Sequence, residues 1–99
     1  MRLDIEDFDY DAGNLGHFAE KGRGLDPNLI MEVFLGTPVY AINVPSPTRS
    51  GTHQMIGPNA RRQCWTIIMT EVDSDRHVWR PITGWPSKPK ETNLWQGAR

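Results

Sequence analysis

A set of cations and imidazoles runs through this sequence: His17, Lys21, Arg49, His53, Arg61, Arg62, His77 and Arg80, joined by the carboxylate of Glu91. Together these types can break RNA without a metal. The 2′-hydroxyl attacks the adjacent phosphate, a base takes its proton, an acid protonates the leaving oxygen, and cations stabilise the charge on the phosphorane. His17 and Lys21 are four apart, so on a helix they share a face. Arg80 offers a bidentate phosphate grip that lysine cannot match. Trp79 and Trp85 could stack on unpaired bases, at roughly 1–3 kcal/mol each. The ordinary alternative is that exposed lysines and arginines are merely solvated, and that aromatic residues of a small domain belong to its core.

Other chemistries find less support. His17, His53 and His77 are scattered and Cys64 stands alone, so no pair has the spacing of a zinc or iron site, and neither metal nor cofactor is expected. Cys64 falls in an apolar stretch, where cysteine most often acts as a small hydrophobe. "GRG" at 22–24 is too short for a phosphate-binding loop.

The elements that must position these groups can be read from pattern. "IEDFDYD" suits a short edge strand. Asp11 can cap a helix through "AGNLGHFAEK", with Leu15, Phe18 and Ala19 at helical spacing and Gly22 and Gly24 as stops. In "DPNLIMEVFLG", Asp26 is an N-cap, Pro27 the first helical residue, Leu29, Ile30, Val33 and Phe34 one apolar face, and Gly36 the C-cap. "VYAINV" reads as a strand, and "PSPTRSG" (45–51) as a polar loop. "THQMIG", "QCWTIIMTE" and "RHVWRPIT" follow as an antiparallel meander, with turns at "PNAR" and "VDSD". Pro81 cannot donate to a ladder, so the last strand is an edge or ends there. "SKPKETNLWQ" restarts a helix, with Ser87 as N-cap and Leu94 and Trp95 as its buried pair. The expected fold is α+β in the order β-α-α-β-β-β-β-α, a largely antiparallel sheet with helices packed on one side.

Ninety-nine residues make a single domain, 1–99, with one core and little room for a deep pocket. Hydrophobic residues at 37% and a mean hydropathy of -0.56 are globular rather than disordered. No apolar run could span a bilayer, the acidic N-terminus does not read as a signal peptide, and a single cysteine suits a reducing cytoplasm. The net charge of -1 conceals a division, with the first third acidic and the remainder basic. Either a basic face meets an anion such as phosphate, or the two parts neutralise each other across the fold.

Beyond these separate signals, "FDYD" (8–11), then Asn14, His17 and Lys21 in "NLGHFAEKGRG", then "NLIMEVF", "HQMIGPNARRQCWTII" and "WRPITGWPSKPKETNLW" resemble, in order, the motifs of BrnT-family toxins. The resemblance spans residues 8–95. It implies a RelE-like fold and a role as the toxin of a type II toxin–antitoxin pair, a ribonuclease that arrests translation. It also implies RNA and a small DNA-binding cognate antitoxin as partners, in a homo-oligomer or a toxin–antitoxin hetero-oligomer. On this resemblance, His17 or Lys21 transfers protons, Arg80 and Arg61 hold phosphate, and Glu91 orients basic groups or acts as base. Arg49, His53, Arg61, Arg62, Trp85 and Lys88 would contact RNA. The chain departs from the family where Trp85 stands in place of an arginine, Thr92 in place of a basic residue and Trp95 in place of tyrosine.

A reading of a different class is a catalytically silent interaction protein of the same fold, in which Trp85 binds a protein partner, since tryptophan is enriched at interface hot spots. Direct DNA binding is less favoured, because no helix carries a cluster of bases.

Overall fold

The computed structural model describes residues 1–10, 25–44, 47 and 51–97. Within them the chain forms an α+β domain in the order β1 (Asp7–Phe8), α1 (Pro27–Leu35), β2 (Val39–Ile42), β3 (His53–Pro58), β4 (Cys64–Asp73), β5 (Val78–Pro86) and α2 (Pro89–Gly97). The helix expected over 12–21 and its Asp11 cap lie outside the described residues, as does most of the 45–51 loop.

Helix α1 starts where its signals stand. The Asp26 carboxylate accepts from the Leu29 N–H at 2.8 Å, Pro27 opens the first turn, and Leu29, Ile30 and Val33 are buried. Gly36 ends the helix without a left-handed conformation, at φ -88. Its lack of a side chain serves close packing instead, since a Cβ there would come within 3.0 Å of the Pro58 carbonyl oxygen. The left-handed residue is Thr37, at φ 56.

The strands form one mixed sheet in the order β1-β5-β4-β3-β2. The meander of β3, β4 and β5 is antiparallel, as expected, β2 adds antiparallel to β3, and β1 joins β5 in parallel through Asp7–Val78 and Phe8–Trp79. The β4–β5 turn falls at 74–77, later than "VDSD". Pro81 neither ends its strand, which runs on to Pro86, nor marks an edge, since β5 lies between β1 and β4. The carbonyls of His77 and Trp79 accept from β1, so the nitrogen of Pro81 also turns away from β4, and no β4–β5 ladder bond is lost.

Strand alternation sorts the side chains into two faces. Met55, Trp65, Ile67, Met69 and Trp79 join Phe8, Leu25 and the buried residues of α1 in one core cluster. On the reverse face Ile56, Thr66 and Ile68 are equally buried. Helix α2 belongs to that reverse side: Glu91 binds Trp85, whose strand partner is Thr66, and the indole N–H of Trp95 donates to the Thr37 carbonyl at 3.3 Å. The expectation of helices on one side is therefore corrected, because both faces of β3 and β4 are apolar and each must be covered.

Two details of α2 also differ. Ser87 is not its cap. The Ser87 hydroxyl pairs with Thr66 Oγ1 at 2.8 Å, and the Lys88 N–H is taken by Glu91 at 2.8 Å, as in half of a capping box. Leu94 and Trp95 are not a buried pair: Leu94 is 48% exposed, Trp95 is half-buried, and no residue of this helix is fully buried.

Gly51 has φ 106, and a Cβ there would run into Ile68 Cγ2. Gly51→Ala is expected to destabilise the fold by about 1–3 kcal/mol, read as a lower urea midpoint; an unchanged midpoint would contradict the close packing at this corner.

Candidate functional site

His17, Lys21 and Arg49 lie outside the described residues. The remaining candidates are positioned by β3, β5 and the two segments that follow them. Arg80 stands on β5 opposite Thr70, on the reverse face. Its Nη2 meets Asp9 Oδ2 at 2.5 Å, with the two side chains 36% and 40% exposed. Asp9 reaches it because parallel pairing of Phe8 with Trp79 sets the next residues side by side. At such exposure the pair is worth about 1 kcal/mol or less. Here an N-terminal acid does neutralise a C-terminal base.

His53 sits at the near end of β3 but on the α1 face. Its Nδ1 is 2.8 Å from Thr52 Oγ1, and its ring meets Trp79 edge-on at 5.1 Å. His53 and Arg80 thus flank the sheet from opposite sides. His77, at φ 56, belongs to the β4–β5 turn.

Arg61 and Arg62 occupy the β3–β4 turn at the other end of β3, both exposed, with Arg62 left-handed at φ 66. The turn is held by the Asn59 side chain, which accepts from the N–H groups of Arg61 and Gln63 at 3.0 and 2.8 Å. Arg61 lines a shallow cleft with Asp26 and Glu32. Two carboxylates so near make that cleft a poor seat for phosphate.

Trp85, Lys88 and Glu91 do come together, at the same end of the sheet as Arg61 and Arg62. The Trp85 indole N–H donates to both Glu91 oxygens, at 2.9 and 3.2 Å. Lys88 Nζ lies 5.8 Å from the Trp85 ring centroid, within reach of a cation–π attraction. The Glu91 carboxylate is therefore engaged by an indole and by the N-terminus of its own helix, and among the described residues no cationic side chain pairs with it. Arg80 lies five positions back along β5, about 16 Å away at strand rise. The described candidates form two groups, one at each end of the sheet.

Sequence reasoning missed Asp9, although the acids around Phe8 were visible; the pairing spans 71 positions and only the parallel strand creates it. Cys64 opens β4 and is half-buried. Among the described residues, no group of three His, Cys, Asp or Glu is arranged to hold a metal ion, and no helix is long and apolar enough to cross a membrane. No protein-family model matches the chain, and no curated protein matches it.

Tyr10, next to Asp9, has its phenol pushed up to about 12, first by burial and then by the Asp7 charge; its hydroxyl is buried and has no hydrogen-bond partner among the described residues. Between its ordinary value of 10.0 and about 12, the unfolded chain has released this proton and the folded chain has not. Stability is therefore expected to be insensitive to Tyr10 below that range and to fall as pH rises through it. Urea midpoints followed against pH, with Tyr10→Phe as control, check the direction; a Tyr10→Phe variant with the same alkaline loss would remove this assignment.

Proposed function

We propose that this chain is a RelE/BrnT-like toxin, a metal-independent ribonuclease that arrests translation and is held in check by a small DNA-binding antitoxin. The reading rests first on the ordered motifs across residues 8–95. The single structural observation that supports it is the setting of Arg80. Its guanidinium is part-exposed beside the end of β1, next to Asp9 and Tyr10, and His17 and Lys21 follow Tyr10 in the sequence. The Asp9 pair is weak enough for a phosphate to displace, and a guanidinium binds two phosphate oxygens at once.

On this reading Arg80 grips the phosphate, and proton transfer falls to His17 and Lys21. Glu91 takes no part as base: it holds Trp85 and the start of α2. Trp85 thus answers Glu91 with a neutral N–H where the family would offer a charged guanidinium. The Arg61, Arg62 and Lys88 end of the sheet contributes general attraction to RNA rather than chemistry.

The test is induced expression together with purified protein on RNA in excess chelator. Growth arrest and chelator-resistant cleavage are expected. Arg80→Ala should lower cleavage by about 10²-fold or more, the usual scale for one electrostatic contact to a developing charge. Arg80→Lys should restore only part. Normal growth and intact RNA from a folded sample would sink the nuclease reading.

A second reading is favoured by one observation, the tie between Trp85 and Glu91. An indole so anchored and still part-exposed is what an interface hot spot requires, and the protein would then be a silent partner-binding module. In that case Trp85→Ala costs a protein partner about 2 kcal/mol of affinity in titration calorimetry, and Arg80→Ala costs little. Equal partner affinity with and without the indole would exclude it.

A further inference from the structure

We infer that the outer edge of β2 pairs with the same edge of a second copy of this chain, joining two sheets across a twofold axis. The geometry begins with hydrogen-bond direction. The Asn43 N–H donates to the Thr52 carbonyl, and the register pairs Ala41 with Gln54 and Val39 with Ile56. In an antiparallel ladder inward and outward residues alternate. Residues 39, 41 and 43 therefore point their backbone groups at β3, and Tyr40 and Ile42 point theirs outward. Among the described residues no other strand covers them, since β2 is the last strand of the sheet. Their N–H and C=O groups can be met in sequence only by an extended chain.

Open edges are usually blunted by charge. This one carries none: from Val33 to Thr48 the sequence has no Asp, Glu, Lys or Arg. The absence of charge decides the occupant. Twofold pairing sets like against like, so any charge on the edge would repel its own copy, and here nothing does. Ala41 completes the fit. With Ala41 on the axis, Tyr40 faces the partner's Ile42, and the two Ala41 side chains meet at the closest cross-strand spacing, which small methyl groups tolerate. Pro38 and Pro45 bracket the segment and keep the ladder short.

Apolar surface flanks the edge. Ile42 is 58% exposed, Leu94 48% and Met1 66%. Two shallow clefts border β2 along α2, one shared with Met1 and Val39, the other with Gln54 and Lys90, and both are lined by Ala41 and Leu94. Pairing of the edges brings this surface from both copies to the axis and removes it from water.

The full chain is tested by light-scattering mass during size exclusion at about 100 µM, a concentration that populates a dimer of micromolar affinity. Wild type is expected at twice the 11.3 kDa chain mass. Ile42→Lys places a charge on each edge and should weaken the dimer at least about tenfold, with Val72→Lys on β4, away from β2, leaving it unchanged. Circular dichroism reports whether Ile42→Lys folds; if it does not, Val44→Lys at an 83% exposed position carries the same test. Amide exchange at Tyr40 and Ile42 should slow as concentration rises. A monomeric wild type, a dimer untouched by the folded edge variant, or a mass above two chains overturns the proposal.

Discussion

Burial of β4 on both faces is the constraint on which the rest of this domain depends. Residues 65–69 are all buried. Trp65, Ile67 and Met69 face α1, and Thr66 and Ile68 face the reverse side. A slip of one residue would exchange these sets and bring Thr66 among the apolar residues beneath α1. Thr66 is the one fully buried polar side chain among the described residues, and its hydroxyl is matched by that of Ser87, as burial of a polar group demands. The same bond anchors the chain as it leaves β5, so the position of α2 follows from the middle of β4.

A charge-free centre forces the described cations to the perimeter. Arg80 ends beside β1 and Arg61 and Arg62 at the β3–β4 turn, while Trp85, Lys88 and Glu91 gather where β5 passes into α2. The ends are separated by the length of the strands themselves. A shared active site would need groups from beyond the sheet, which is why the segment after Tyr10 matters to the nuclease reading and why the Trp85–Glu91 tie points the other way.

Three of the four tryptophans, Trp79, Trp85 and Trp95, fall between residues 76 and 95. Each tryptophan there donates to another part of the chain: Trp79 to the Asp4 carbonyl at 3.0 Å, Trp85 to Glu91, Trp95 to the Thr37 carbonyl. A tryptophan supplies large apolar area together with one directed N–H, so it can join distant segments of a small core. Only Trp65, deep under α1, leaves its indole nitrogen buried without a partner among the described residues.

Local chemistry was legible in the sequence. Asp26, Pro27 and the apolar stripe from Leu29 to Val33 define α1, and the alternation through β2, β3 and β4 defines the meander within a residue or two, because caps and strand periodicity act between near neighbours. What lay beyond reach was set by contacts distant in sequence. Apolar residues on both sides of β3 and β4 meant that the helices divide between two faces, yet a strand pattern does not say which helix covers which face. Ser87 looked like a cap until Thr66 claimed its hydroxyl. Arg80 and Glu91 were recognisable as chemical groups, but their partners, Asp9 and Trp85, were decided by the parallel docking of β1 and the turn of the chain into α2. Residue type determined what each group is able to do; the tertiary structure alone decided what each group meets.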